Sequence, residues 1–210
     1  MFFEKSFINC KFIKLFVSKK ENLDKLKQKV EEADILLKDT STNLVFGKGN
    51  PDANILFIGE APGNNEDLQG IPFVGTAGKQ LDEFLHMIDL CIDDVYIANI
   101  LKYRPPNNRN PNVEEIKAHT PFLIEQIKII QPKIIITLGN FSTKFVLSNF
   151  DVDKMKKIEG ISVLHGKPVT KIINDLKFLV VPMYHPAAML YKRSLKDDLE
   201  KDFLIVKTLL

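Results

Sequence analysis

Cysteine is nearly absent. Cys10 and Cys91 are the two in the sequence, too few for a disulfide framework and too few for any site that takes four thiolates from one chain. No apolar run reaches the length of about 18 residues that a membrane-spanning helix needs. The first 17 residues (MFFEKSFINCKFIKLFV) interrupt their apolar positions with Lys and Glu, so they lack a signal-peptide core. These gaps together predict an intracellular, cytoplasmic protein without a membrane partner. Repeats and low-complexity segments are missing too. A net charge of +2 gives no whole-chain mark of a nucleic-acid binder.

What is present is the composition of a packed globule: 45% hydrophobic and 27% charged residues over 210 positions. Such a length suits a single domain, assigned here to residues 21–210. Residues 1–20 precede it as a basic and apolar extension whose role the sequence leaves open, either a DNA-contacting arm or an added strand. A second local concentration of charge, Lys102, Arg104 and Arg109, has no acid between residues 95 and 113. It reads as a solvated basic loop or as a phosphate-contacting one.

Leu23, Leu26, Val30, Ala33 and Leu37 recur at helical spacing and predict a helix over 20–37. From residue 54 the pattern changes. Continuous apolar runs at 54–59 (NILFIG), 95–99 (VYIAN), 133–138 (KIIITL) and 178–183 (FLVVPM) alternate with helical patterns at 76–90, 113–130, 141–149 and 193–209. Residues 150–175 are less regular and read as a short excursion or hairpin. Buried strands separated by helices predict an α/β fold, a three-layer α/β/α sandwich around a central four-stranded, mainly parallel sheet. Sites in such sheets form beyond the C-terminal strand ends.

Four segments along that rim carry chemistry. The turn after the first strand, GEAPGNNED, exposes backbone N–H groups between two carboxylates, Glu60 and Glu66, but lacks the Lys and Ser/Thr of a phosphate loop. Phe73, held in GIPFVG, suits stacking on a planar ligand or plugging the core. Asn99 ends the second strand, where its amide can offer one acceptor and two donors to a base edge. His185 follows the fourth strand and opens HPAAML.

On these residues, and on VFGKG (45–49), GEAPGNNED (59–67), GIPFVGTAGKQL (70–81), ANILKYRPPNNRNP (98–111), PKIIITLG (132–139) and HPAAML (185–190), the chain resembles the family-4 uracil-DNA glycosylases over residues 23–210. Gly63 favours family 4 over its neighbour, whose motif reads G-E-A-P-A. The resemblance implies hydrolysis of the N-glycosidic bond of a flipped-out deoxyuridine, releasing uracil and leaving an abasic site in base excision repair.

It also implies roles. Glu60 and His185 would be catalytic. Ala61, Gly63, Glu66, Phe73 and Asn99 would bind the base. Arg104, Asn107, Arg109, Pro186, Ala187, Ala188 and Met189 would meet DNA, with Met189 as the wedge. Uracil-containing DNA is the implied partner and a monomer the implied state. One departure is large: family members carry four cysteines on a four-iron four-sulfur cluster, and the matching positions here are Glu32, Ile35, Tyr103 and His119. No cluster, metal or other cofactor is therefore expected. The missing cysteines also motivate the alternative, a uracil- or DNA-binding paralogue with little or no glycosylase activity. A covalent trap is disfavoured because the loop NNRNP has no His. A metal-dependent phosphoester hydrolase is disfavoured because no ligand spacing is visible.

Overall fold

The computed structural model describes residues 17–173 and 176–210. Most of the 1–20 extension lies outside the described residues, so its role is untouched. The elements run α1 (Lys19–Glu32), β1 (Lys48–Gly49), β2 (Ile55–Gly59), α2 (Asn64–Gln69), α3 (Thr76–Met87), β3 (Val95–Asn99), α4 (Val113–Ile130), β4 (Ile134–Leu138), α5 (Asn140–Leu147), α6 (Ile161–Leu164), β5 (Val169–Ile173), β6 (Leu176–Met183) and α7 (Leu195–Thr208).

The four expected strands form a parallel core in the order β3-β2-β4-β6. Two further strands widen the sheet to six among the described residues: β1 pairs antiparallel with β3 at one edge, and β5 with β6 at the other. The irregular stretch before β6 thus resolves into short helical turns and the first arm of a hairpin.

Every residue of β2, β3 and β4 is buried, as continuous apolar runs require when both sheet faces are covered. Alternation sorts them between two layers. Leu56 and Ile58 face α1, α4 and α5 through Leu23, Val30, Leu123, Ile127 and Phe145. Ile55 and Phe57 face α3 and α7, where Phe57 and Phe84 both stack on Phe203.

Helix α1 starts at a capping box between Ser18 and Glu21 but stops five residues before the apolar periodicity does. Ala33 turns extended and Leu37 takes a left-handed φ of 74°. That departure lets Ile35 and Leu37 pack on the core from a loop. Helix α4 matches its predicted span, capped by a reciprocal Asn112–Glu115 box.

Candidate active site

The sheet register lines up the strand ends. Gly59 pairs with Asn99 across β2–β3, and Leu138 with Met183 across β4–β6, two residues before His185. Beyond them opens a cavity of about 590 Å³, lined among others by Glu60, Ala61, Gly63, Glu66, Phe73, Asn99, Arg109, His185 and Ala187. Nine of the sequence-predicted residues therefore share one cavity. Arg104, Asn107, Pro186, Ala188 and Met189 lie outside its lining.

Gly59 explains how two of them meet. A Cβ there would stand 2.3 Å from Asn99 Oδ1 and 3.1 Å from the Phe73 ring, so only glycine lets both side chains close over the strand end. Asn99 is 2% exposed, and its side-chain amide makes no hydrogen bond among the described residues. Its donors and acceptor are left for a ligand.

Phe73 plugs the core, within the apolar layer under α3 and α7, and its ring also walls the cavity. Its φ of 52° is left-handed, a strained conformation for a bulky residue. Lys48 Nζ holds its carbonyl at 2.9 Å, and Gly78 makes room, since a Cβ there would lie 2.0 Å from the same oxygen. Glu66 restrains the loop further by accepting the N–H groups of Val74 and Gly75 with Oε1, both at 3.1 Å. Its other oxygen faces Gly63, where a Cβ would stand 2.8 Å away.

His185 sits 5.6 Å from Phe73, centroid to centroid. Its Nδ1 accepts the Ala187 N–H at 3.2 Å, so the ring proton belongs on Nε2. Desolvation pushes its pKa down to about 4, against the opposing charge of Glu66. At neutral pH it is a neutral imidazole with one N–H to give. Gly139 (φ 96°) permits the approach, since a Cβ there would lie 3.3 Å from His185 Cβ. Burial also raises the pKa of the Glu60 carboxyl, making it a better base.

The basic residues Lys102, Arg104 and Arg109 do not form one solvated or phosphate-contacting loop. Lys102 is fully buried, and its Nζ donates to the Asn99 carbonyl at 2.7 Å. Arg109 is committed to Glu115 through both of its terminal nitrogens, with Nη1 at 2.9 Å from Oε2. Arg104 keeps its predicted surface position and hydrogen-bonds Asn64 and Asn108. Asn107 is exposed at a left-handed φ of 57°. In the HPAAML turn the N–H groups of Ala187 and Ala188 are spent on His185 itself, and Pro186 has none. Met189 is half-buried against the α3–α7 layer, whereas its neighbours Leu190 and Tyr191 are 58% and 92% exposed.

Sequence reasoning took Gly59 and Gly139 as strand ends without their packing roles, and Lys48 only as part of VFGKG.

The positions matching the family's cluster cysteines do not fit an iron–sulfur cluster. Glu32 is exposed and Ile35 packs on the core. Tyr103 lies edge-on to His119 at 6.1 Å. His119 has both nitrogens in use: Nδ1 accepts the Lys102 N–H at 3.1 Å and Nε2 donates to the Leu36 carbonyl at 3.0 Å. No thiolate is among them, and an imidazole with both nitrogens hydrogen-bonded cannot also ligate iron.

Fold and rim together define a base-excising enzyme of the Uracil DNA glycosylase superfamily, which matches residues 46–206. The chain is 48% identical to the type-4 uracil-DNA glycosylase of Saccharolobus solfataricus over 79% of its own length and 75% of that protein's. It is 46% identical to that of Archaeoglobus fulgidus (80% and 82% covered) and 43% identical to that of Sulfurisphaera tokodaii (90% and 85% covered). The chain belongs to the type-4 uracil-DNA glycosylases, hydrolytic enzymes of DNA repair. No helix among the described residues is long and apolar enough to cross a membrane.

Proposed function

We propose that the protein excises uracil from DNA by the following division of labour. The deoxyuridine leaves the stack and enters the cavity beyond β2, β3, β4 and β6. Phe73 stacks on the base. The Asn99 amide donates to O4 and accepts from N3–H; cytosine brings an amino group to the donor and an unprotonated N3 to the acceptor. Unmatched polar groups at such a site reject the wrong base by roughly 10⁴-fold or more. Gly63 and Glu66 close the space near C5, where thymine carries its methyl.

As the bond from C1′ to N1 breaks, its electron pair moves onto the base and negative charge gathers at O2. His185 Nε2–H donates there, assisted by the backbone around Ala61. A single donor aimed at developing charge contributes about 3 kcal/mol. Water adds to C1′ and gives its proton to Glu60, whose raised pKa suits that task. Arg104 and Asn107 meet phosphate. Pro186, Ala187 and Ala188 shape the loop rather than donate to DNA, since their N–H groups are engaged or missing. Met189 wedges into the vacated stack with Leu190 beside it. Arg109 reaches DNA only with the donors that Glu115 leaves free. All residues given roles here come from one chain, which supports a monomer, and a cellular DNA substrate supports a cytoplasmic setting.

The single observation that carries this reading is the convergence of a free amide, an aromatic wall and a neutral histidine on one cavity. Binding without cleavage is disfavoured because nothing in that set is degraded. The test is a labelled duplex with one U·G pair, treated with alkali after incubation. Strand scission from protein without absorbance near 400 nm is expected; a folded, DNA-binding protein that leaves the duplex intact would refute catalysis.

A further inference from the structure

Behind the cavity, on the side away from the base, lies a buried polar cluster that the reaction itself does not use. Lys102 has no exposed surface, and its Nζ donates to the backbone carbonyl of Asn99 at 2.7 Å and to Gln126 Oε1. Gln126 is likewise fully buried, and its Nε2 donates to the Phe46 carbonyl at 3.0 Å. The Phe46 ring lies 6.0 Å from the same amine. The Lys102 backbone N–H is held in turn by His119 Nδ1.

Asn99 is the last residue of β3. The next two residues remain tied to the first site turn, Ile100 N–H to the Gly59 carbonyl and Leu101 N–H to the Glu60 carbonyl. The Asn99 carbonyl is thus fixed by a side chain at the point where the sheet ends. Carbonyl and side chain diverge from one Cα, so pinning one aims the other. We propose that Lys102 is the positioning residue of base recognition: it clamps the Asn99 carbonyl, with Gln126 bracing the amine from behind, and so directs the Asn99 amide at the base.

A bare carbonyl partner did not require a lysine. Burying an amine is unfavourable, and among the described residues no carboxylate pairs with this one. Desolvation lowers its pKa to about 7. The geometry gives that unfavourable choice a use, since a misplacement of about 1 Å at a recognition group can lower a rate about a hundredfold. The proposal rests on the assignment of Asn99 to uracil, and its test separates the two.

Lys102→Met and Gln126→Met are compared with wild type for kcat and KM on the U·G duplex, inhibition by free uracil, and affinity for an abasic duplex. Lys102→Met is expected to lower kcat about tenfold or more and to weaken uracil inhibition in parallel, with KM and abasic-duplex affinity within about twofold. Gln126→Met should give the same pattern, smaller. A Lys102→Met protein with wild-type near-UV circular dichroism and unchanged kcat and uracil inhibition overturns the clamp, as does a defect confined to KM. Should Lys102→Met not fold, Gln126→Met decides: the same split supports the clamp, and wild-type kinetics reject it. Wild-type protein that excises nothing refutes the proposed reaction instead, and uracil binding by the variants then judges the clamp.

Discussion

Two histidines in this protein share an environment and differ in use. His119 and His185 both lie in desolvated surroundings that lower their pKa to about 4, so both are neutral under ordinary conditions. His119 spends Nδ1 on the Lys102 N–H and Nε2 on the Leu36 carbonyl. His185 spends only Nδ1, on Ala187, and turns the rest of its ring to a cavity. A perturbed pKa therefore does not by itself mark a catalytic group. The remaining hydrogen-bonding capacity does, and its direction decides the role. The same contrast separates Gln126, whose amide oxygen and nitrogen are both engaged inside the core, from Asn99, whose amide is open.

The sharpest way to break this comparison is to remove each ring. His185→Gln is expected to lower kcat on a U·G duplex about 10²- to 10³-fold with little change in DNA affinity, as measured by single-turnover excision and equilibrium binding. A loss confined to affinity would remove His185 from the transition state. His119→Asn should do the reverse, lowering stability by about 1–3 kcal/mol through two damaged buried hydrogen bonds, while kcat at a temperature where it is folded falls far less than in His185→Gln.

The pH dependence sharpens the contrast. His119 has a folded pKa near 4, below its ordinary 6.5. Its contribution to stability is therefore fully present above pH 6.5 and is lost as pH falls through 4, by up to about 3 kcal/mol. Urea midpoints should show the gap between wild type and His119→Asn narrowing from pH 7 to pH 4. A constant gap would mean that the ring is not kept neutral by burial.

The smallest effect concerns the arginines. Arg104→Ala should weaken DNA binding a few-fold and reduce the salt slope by about 1, because a phosphate contact is lost. Arg109→Ala should mainly disturb the Glu115 cap. Equal salt slopes for the two variants would contradict their different assignments.

The core of the fold was legible because β2, β3 and β4 are continuous apolar runs, and their ends point to a site wherever a parallel sheet carries them. The edge strands were not. Lys48–Gly49 is too short for any period, and β5 alternates half-buried and exposed residues because it is covered on one side only. The end of α1 was misjudged since Leu37 packs on the core from a loop, which periodicity cannot distinguish from a helix. At the site, Glu60, Phe73, Asn99 and His185 were readable from position and chemistry. Arg109 and Lys102 were not, because a charge looks solvated in sequence until its partner, Glu115 or the Asn99 carbonyl, is brought to it by α4 or by the turn of the chain.

Base recognition turns on the open amide of Asn99, and base preference tests it most directly. Excision rates on U·G and C·G duplexes should be compared for wild type and Asn99→Asp under single-turnover conditions. Wild type should remove uracil alone, while the variant should lose activity on uracil and gain measurable cytosine excision, since a carboxylate can accept from the cytosine amino group where the amide donated. An unchanged preference for uracil in a folded, active variant would contradict it.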